Sequence, residues 1–303
     1  MDSNQIAGAI DRQEWLTPVA DGLSDAVDIA FKSGGVASRA VEDALHGTWL
    51  GHPLHPVLTD IPLGAWSVAT TLDVMELATG RKDLAPGADA AVAIGLAGAV
   101  GAAVTGLTDW HDTDGKAKKV GIVHGMMNLT ATGFYTASLV LRKRKHREAG
   151  IVCGLLGYAI SSAAAWLGGN LVYEQKIGTD HAERESLPDS FVSTLPEEEL
   201  HEGEPVRVEA GGRKVLLVRQ GGRIYALADT CSHLGGPLAE GKLGDGTITC
   251  PWHGSTFRLE DGSIARGPAT YPQPCFETRV RNGRIEVRYV NPEQRQIGAT
   301  RDA

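Results

Sequence analysis

Between residues 56 and 173 the chain is written in long apolar stretches; beyond about 206 it turns to short alternating ones. The stretch Ala90–Leu107 has Thr105 as its only polar side chain. Val120–Leu141 and Gly150–Tyr173 are also long enough, as helices, to cross the roughly 30 Å hydrocarbon core of a bilayer. Ile61–Leu72, bordered by Asp60 and Asp73, is shorter and the weakest of the four. Helices of a soluble bundle show polar faces at a helical period, and Ala90–Leu107 shows none. Gly95, Gly98, Ala99 and Ala102 suit close helix packing in lipid. The pattern predicts a transmembrane helical bundle of about four spans.

Two flanking regions read differently. Over residues 14–45, Trp15, Leu16, Leu23, Val27, Ala30 and Phe31 recur among Asp and Ser at helical spacing. This predicts amphipathic helix, lying at the interface or packing on a partner. In the C-terminal half, Val206–Glu209, Lys214–Arg219, Arg223–Leu227, Thr247–Cys250, Phe276–Val280 and Arg284–Val290 are β-type runs. Gly211-Gly212, Gly221-Gly222 and Asn282-Gly283 punctuate them as hairpin turns do. The fold class expected is α + β multidomain, a transmembrane helical bundle followed by an all-β module. The divisions expected are an amphipathic segment (1–47), a membrane domain (48–175), a linker (176–186), the β module (187–290) and a polar tail (291–303).

The β half carries the chemistry. Cys231-Ser232-His233 and Cys250-Pro251-Trp252-His253 each offer one thiol and one imidazole, and the segment Leu234 to Thr249 separates them. Two Cys on one iron and two His on the other is how a Rieske [2Fe–2S] centre is held. A Cys2His2 zinc site uses the same ligand types. It usually pairs Cys with Cys and His with His, whereas each half here mixes them. That argues for two metal atoms with different ligands.

CSHLGGPL (231–238) and CPWHGSTF (250–257) resemble the two cluster loops of the Rieske family, and Arg266 to Thr270 resembles its proline-bearing cover loop. The resemblance spans about residues 187–290. It implies one [2Fe–2S] cluster, with Cys231 and Cys250 on the inner iron and His233 and His253 on the outer. It also implies a surrounding shell of Trp252, Gly254, Ser255, Phe257 and Pro268. High-potential members carry a disulfide between the loops; the matching positions are Gly236 and Trp252, so none can form. They carry Tyr where this chain has Phe257, which removes one hydroxyl donor, while Ser255 is retained. Fewer donors to the cluster mean a less stabilised reduced state, hence a low-to-intermediate potential.

In the N-terminal half, GHPLHP (51–56) and the spans after it, about residues 48–175, resemble the DUF2231 membrane domains, which says little about activity. His52 and His55 precede the first span, His111 lies between the second and third, and His124 is inside the third. Ionisable groups at membrane depth are functional candidates. Three readings stand side by side: axial ligation of a b-type haem, quinone or proton handling, and structural polar contacts. There is no Cys-x-x-Cys-His, so covalent haem attachment is excluded.

Net charge is −8, which gives a nucleic-acid role no support. Of the 4 cysteines, Cys153 and Cys275 are left over and read as packing and strand residues, with no disulfide framework. The start has no signal-peptide pattern. Arg81-Lys82 and the basic run 142–147 would both be cytoplasmic by the positive-inside rule, which puts the β module outside. Cluster assembly argues for the cytoplasm, and the expectation leans that way. The function expected is a membrane-anchored one-electron carrier exchanging with a redox protein or quinone, a component rather than a complete enzyme. Supplying electrons to a separate oxygenase or reductase, or sensing redox state, are the alternatives.

Overall fold

The computed structural model describes residues 3–182, 184 and 187–290. The expected tail (291–303) and residues 183, 185 and 186 of the expected linker lie outside them. The chain divides into two compact units, Met1–Gly47 with Pro53–Ile177, and Thr48–His52 with Gly178–Ala303.

The first unit is helical. α1 (Ser3–Asp11), α2 (Leu16–Ser33) and α3 (Gly35–His46) fill the region expected to be amphipathic. Its partner is the same chain. Leu16 and Ala20 pack on Trp110 and Ile122, and Ala7 packs on Val120, Leu167 and Leu171. Four long helices follow: α4 (Leu54–Thr79), α5 (Ala85–Trp110), α6 (Gly115–Lys143) and α7 (Arg147–Tyr173). At 1.5 Å per residue each is about 40 Å long. Gly80, at φ 71°, ends α4 in the left-handed region that a Cβ disfavours.

Two segments, Lys82–Trp110 and Arg147–Tyr173, are long and apolar enough to cross a membrane. α4 and α6 carry more charge, and the structure shows where much of it goes. Arg142 on α6 donates to Asp73 of α4 from both Nη atoms, and Nη1 reaches Asp89 of α5 at 3.0 Å. Arg147, at the start of α7, donates to Glu76 at 2.7 Å and to Asp89 at 2.8 Å. The Arg142 and Asp73 side chains are 0% and 2% exposed. The charges are thus spent inside the bundle, tying all four helices together at one end.

The four helices are two copies of one hairpin. One constant shift along the sequence superimposes the buried positions Pro62, Trp66, Ala69 and Asp73 of α4 on Ala131, Tyr135, Ser138 and Arg142 of α6. A second constant shift does the same for Ala88, Val92, Gly95, Ala102 and Thr108 of α5 with Gly150, Gly154, Gly157, Ala164 and Asn170 of α7. The packing repeats with the positions. Trp66 lies so close over Gly95 that a Cβ there would stand 2.2 Å from its indole, and Tyr135 lies over Gly157 at 3.0 Å. The mates Trp66 and Tyr135 stack on each other at 4.0 Å, and the mates Asp73 and Arg142 form the ion pair.

The second unit is all β. A six-stranded antiparallel sheet runs β1 (Val192–Pro196), β10 (Arg284–Tyr289), β9 (Cys275–Arg281), β4 (Arg223–Ala228), β3 (Arg213–Gln220), β2 (Val206–Ala210). A four-stranded sheet of short strands follows the order β5 (Lys242–Gly244), β6 (Thr247–Thr249), β7 (Thr256–Arg258), β8 (Ile264–Arg266). The hairpin turns are where the glycines predict. Asn282 and Gly283 have φ of 51° and 72°, the left-handed pair that a two-residue turn needs. β3 buries both faces. Val215 and Leu217 pack with Phe276, Ile285 and Val287, while Leu216 and Val218 pack with Leu238, Ile248, Phe257 and the two motif cysteines.

Candidate metal centre

The second core holds the motif. Cys231 follows β4 and Cys250 follows β6, so the C-terminal ends of interior strands in two sheets lead into the two loops. Both thiols are buried, at 1% and 4% exposure, and within hydrogen-bonding reach of each other. His233 and His253 are half-buried, with ring centroids 5.1 Å apart and planes 87° apart. The donor set therefore splits into a thiol pair inside and an imidazole pair toward the surface. Among the described residues, no three or more His, Cys, Asp or Glu side chains gather as ligands of one ion. Two pairs fit a diiron group with two protein ligands per iron, the pattern of mixed Cys/His clusters.

Backbone donors turn toward both sulfurs. The N–H groups of His233 and Leu234 serve Cys231, and those of Trp252 and His253 serve Cys250. The Cys231 thiol donates to Cys250 and, with those amides, pulls the Cys250 thiol down to about 7 against its burial. Cys231 goes well up, because its anion would face Cys250 in a buried place. One site thus favours a thiolate, the form that binds metal.

The surrounding shell is tightly wired. A Cβ at Gly236 would meet the Cys250 sulfur at 2.7 Å and the Trp252 ring at 3.1 Å, so only glycine lets the first loop pass. Gly254, at φ 80°, turns the second loop, and its N–H donates to Cys250 O. Ser255 is fully buried, and its hydroxyl accepts from Ala269 N–H at 3.0 Å, holding the loop that contains buried Pro268. Phe257 is fully buried in the core. Trp252 is 56% exposed beside His253.

Sequence reading missed the residues that pin the first loop. Gln273 accepts from Ser232 N–H at 3.0 Å and donates to the carbonyls of Ala228 and Thr230 at 2.7 and 2.6 Å. The Ser232 hydroxyl donates to Tyr271 O at 2.7 Å. Asp229 accepts from Ala239 N–H and from Arg207. The expected linker joins in, because His181 N–H donates to Ser232 O and Ala182 is buried.

Residues 190–277 match the family model of the Rieske [2Fe-2S] domain. Over 77 residues the chain is 38% identical to Ferredoxin CarAc of Metapseudomonas resinovorans, covering 25% of this chain and 72% of that protein. The chain belongs to the Rieske [2Fe-2S] family. Residues 51–181 match a second family model, the predicted membrane protein domain DUF2231. The Rieske half is also 30% identical to Apoptosis-inducing factor 3 of Homo sapiens, over 38% of this chain but only 19% of that protein. Among solved structures, the ferredoxin of carbazole 1,9a-dioxygenase from Nocardioides aromaticivorans IC177 is 27% identical, covering 33% of this chain and 97% of that one, with a TM-score of 0.32.

The histidines flagged in the N-terminal half fall into separate places. His52 is exposed ahead of α4. His55 Nδ1 lies 2.9 Å from Ala102 O, and His124 Nδ1 lies 2.8 Å from Ala164 O. His111 is buried at the end of α5, with Nδ1 2.6 Å from Thr108 O, and faces Asp28, Glu42 and Asp112. Its neighbour is His46, which sequence reading did not flag. The two rings stack at 6.2 Å, and His46 Nδ1 is 2.9 Å from Asp109.

Proposed function

We propose that this protein is a membrane-anchored electron carrier, in which residues 48–175 hold the Rieske module, residues 187–290, at a membrane. The observation that carries this reading is the split donor set of Cys231/Cys250 and His233/His253. A [2Fe–2S] cluster held there would supply one-electron exchange. The chain's own residues set its terms. Cys231 and Cys250 keep the inner side away from water. Half-buried His233 and His253 leave the outer side near the surface, where a partner can approach, and exposed Trp252 offers that partner an apolar contact. The amides turned to the sulfurs stabilise added negative charge. Phe257 offers no hydroxyl, which keeps the potential in the lower part of the Rieske range.

The anchor reading extends from two spans to four. α4 and α6 match α5 and α7 in length, and their inner charges are paired rather than presented to lipid. The likeness to a ferredoxin favours a redox protein as partner, in the manner of ferredoxins that serve oxygenases.

Electron paramagnetic resonance of dithionite-reduced, carbonate-washed membranes tests the reading. The expected result is a rhombic signal with the low average g of mixed Cys/His ligation, retained through the wash and altered by His233→Cys. Zinc in place of iron would end the electron-transfer reading. A signal released by the wash would end the anchoring one.

A further inference from the structure

The two hairpins place a third pair of mates on one helix face. His55, Trp66 and Asp73 follow one another along α4 at the same intervals as His124, Tyr135 and Arg142 along α6. Those intervals are close to whole numbers of turns, so each trio lines one side of its helix. At two levels the mates meet, as a stacked ring pair and as an ion pair. The third level holds His55 and His124, related by the same shift along the sequence as the mates that meet at the other two levels.

Their surroundings repeat as well. Each imidazole reaches across its own hairpin to one backbone carbonyl, Ala102 O for His55 and Ala164 O for His124. One helical turn beyond each carbonyl stands a glycine under the ring. A Cβ at Gly106 would lie 2.6 Å from His55, and one at Gly168 would lie 3.0 Å from His124. A carbonyl only accepts, so in each ring Nδ1 carries the proton and Nε2 of the neutral imidazole keeps its lone pair. A backbone carbonyl on the far nitrogen is the support that metal-binding histidines use. Asn128 Nδ2 donates to His124 Nε2 at 3.1 Å, which agrees with that tautomer, and the amide must turn aside for Nε2 to bind iron. Both rings remain half-exposed. Among the described residues no third ligand joins them, so a bare ion would be left with two protein ligands. A tetrapyrrole brings four nitrogens and leaves two axial positions for protein ligands.

We propose that His55 and His124 are the two axial ligands of a b-type haem held between the two hairpins. The site is independent of the Rieske module, because it is built wholly from the helical unit. The small residues Gly106 and Gly168 let the two imidazoles lie close against the neighbouring helices, beside the carbonyls of Ala102 and Ala164.

The test uses the full chain, purified in mild detergent from haem-replete cells, with haem measured as the pyridine adduct and the [2Fe–2S] signal recorded on the same sample. The expected result is one haem per chain with a six-coordinate, low-spin ferrous spectrum. His55→Ala and His124→Ala should each abolish that spectrum while the [2Fe–2S] signal persists. His52→Ala and His111→Ala should leave it intact. His124→Met should keep the haem and raise its potential, as thioether ligation does, which a purely structural histidine would not produce. Protein that emerges haem-free and takes up no added hemin overturns the proposal. So does haem retained unchanged in the His55→Ala/His124→Ala double variant, or a co-purifying quinone with no haem.

Discussion

Gln273 touches three backbone groups that no strand serves, so its side chain substitutes for a piece of sheet. Gln273→Leu keeps the bulk and strands Ser232 N–H and the carbonyls of Ala228 and Thr230. Each buried unsatisfied group costs about 1–3 kcal/mol, and partial relaxation leaves an expected loss of about 3 kcal/mol. Urea unfolding of the cluster-loaded full chain, followed by the visible absorbance of the cluster, measures it. Phe257 acts by what it lacks. Phe257→Tyr adds a hydroxyl in the core that holds both motif cysteines, and is expected to raise the reduction potential by tens of millivolts, read by a redox titration of the EPR signal. The candidate ligands were legible because the motif sits within two short words of sequence. Gln273 was not, because it lies well beyond the last motif histidine, His253, and acts only through the fold.

At the scale of elements, the long helices were legible from their apolar runs, and the strands from their Gly-Gly and Asn-Gly turns. Of the shortest strands, β6 falls in the expected run Thr247–Cys250, while β5, β7 and β8 show too little alternation to be read. The charges in α4 and α6 misled in an instructive way. Asp73 stood in the sequence as the border of a weak span; it is buried well inside a helix that continues to Thr79, paired with Arg142. Arg142→Met leaves Asp73 without that partner and is expected to destabilise the helical unit by about 3–5 kcal/mol. Asp73→Leu with Arg142→Met should recover most of the loss, since no buried charge is then abandoned. Thermal melts of helical circular dichroism in detergent compare the variants.

His46 gives the same unit a pH response. Burial pulls its pKa down, but the hydrogen bond and charge of Asp109, with Asp112 and Glu42 behind it, outweigh that and raise it above the ordinary value of 6.5. A raised folded pKa means that the protonated pair stabilises the fold at pH below the unfolded value. That contribution is lost as pH rises through the folded one. Helix stability should therefore fall as the pH climbs above about 6.5, and Asp109→Asn should flatten the slope; melts over a pH series measure both.

For the molecule as a whole, the two-part plan was readable from the change in hydropathy patterning near residue 175. What sequence alone concealed was the duplication inside the first part. Few identities mark it, among them His55 with His124, Gly95 with Gly157, Ala102 with Ala164 and Gly106 with Gly168. It lives in the register of buried positions, which only packing reveals. That register has a consequence for the ion pair. Two identical hairpins meeting about a two-fold axis would bring Asp against Asp, or Arg against Arg, at the level of residues 73 and 142. Joining both halves in one polypeptide removes that restriction, since each copy can then carry its own residue. The Asp73–Arg142 bond is therefore a fingerprint of broken symmetry: an attachment open to a tandem fusion and closed to a homodimer of its halves.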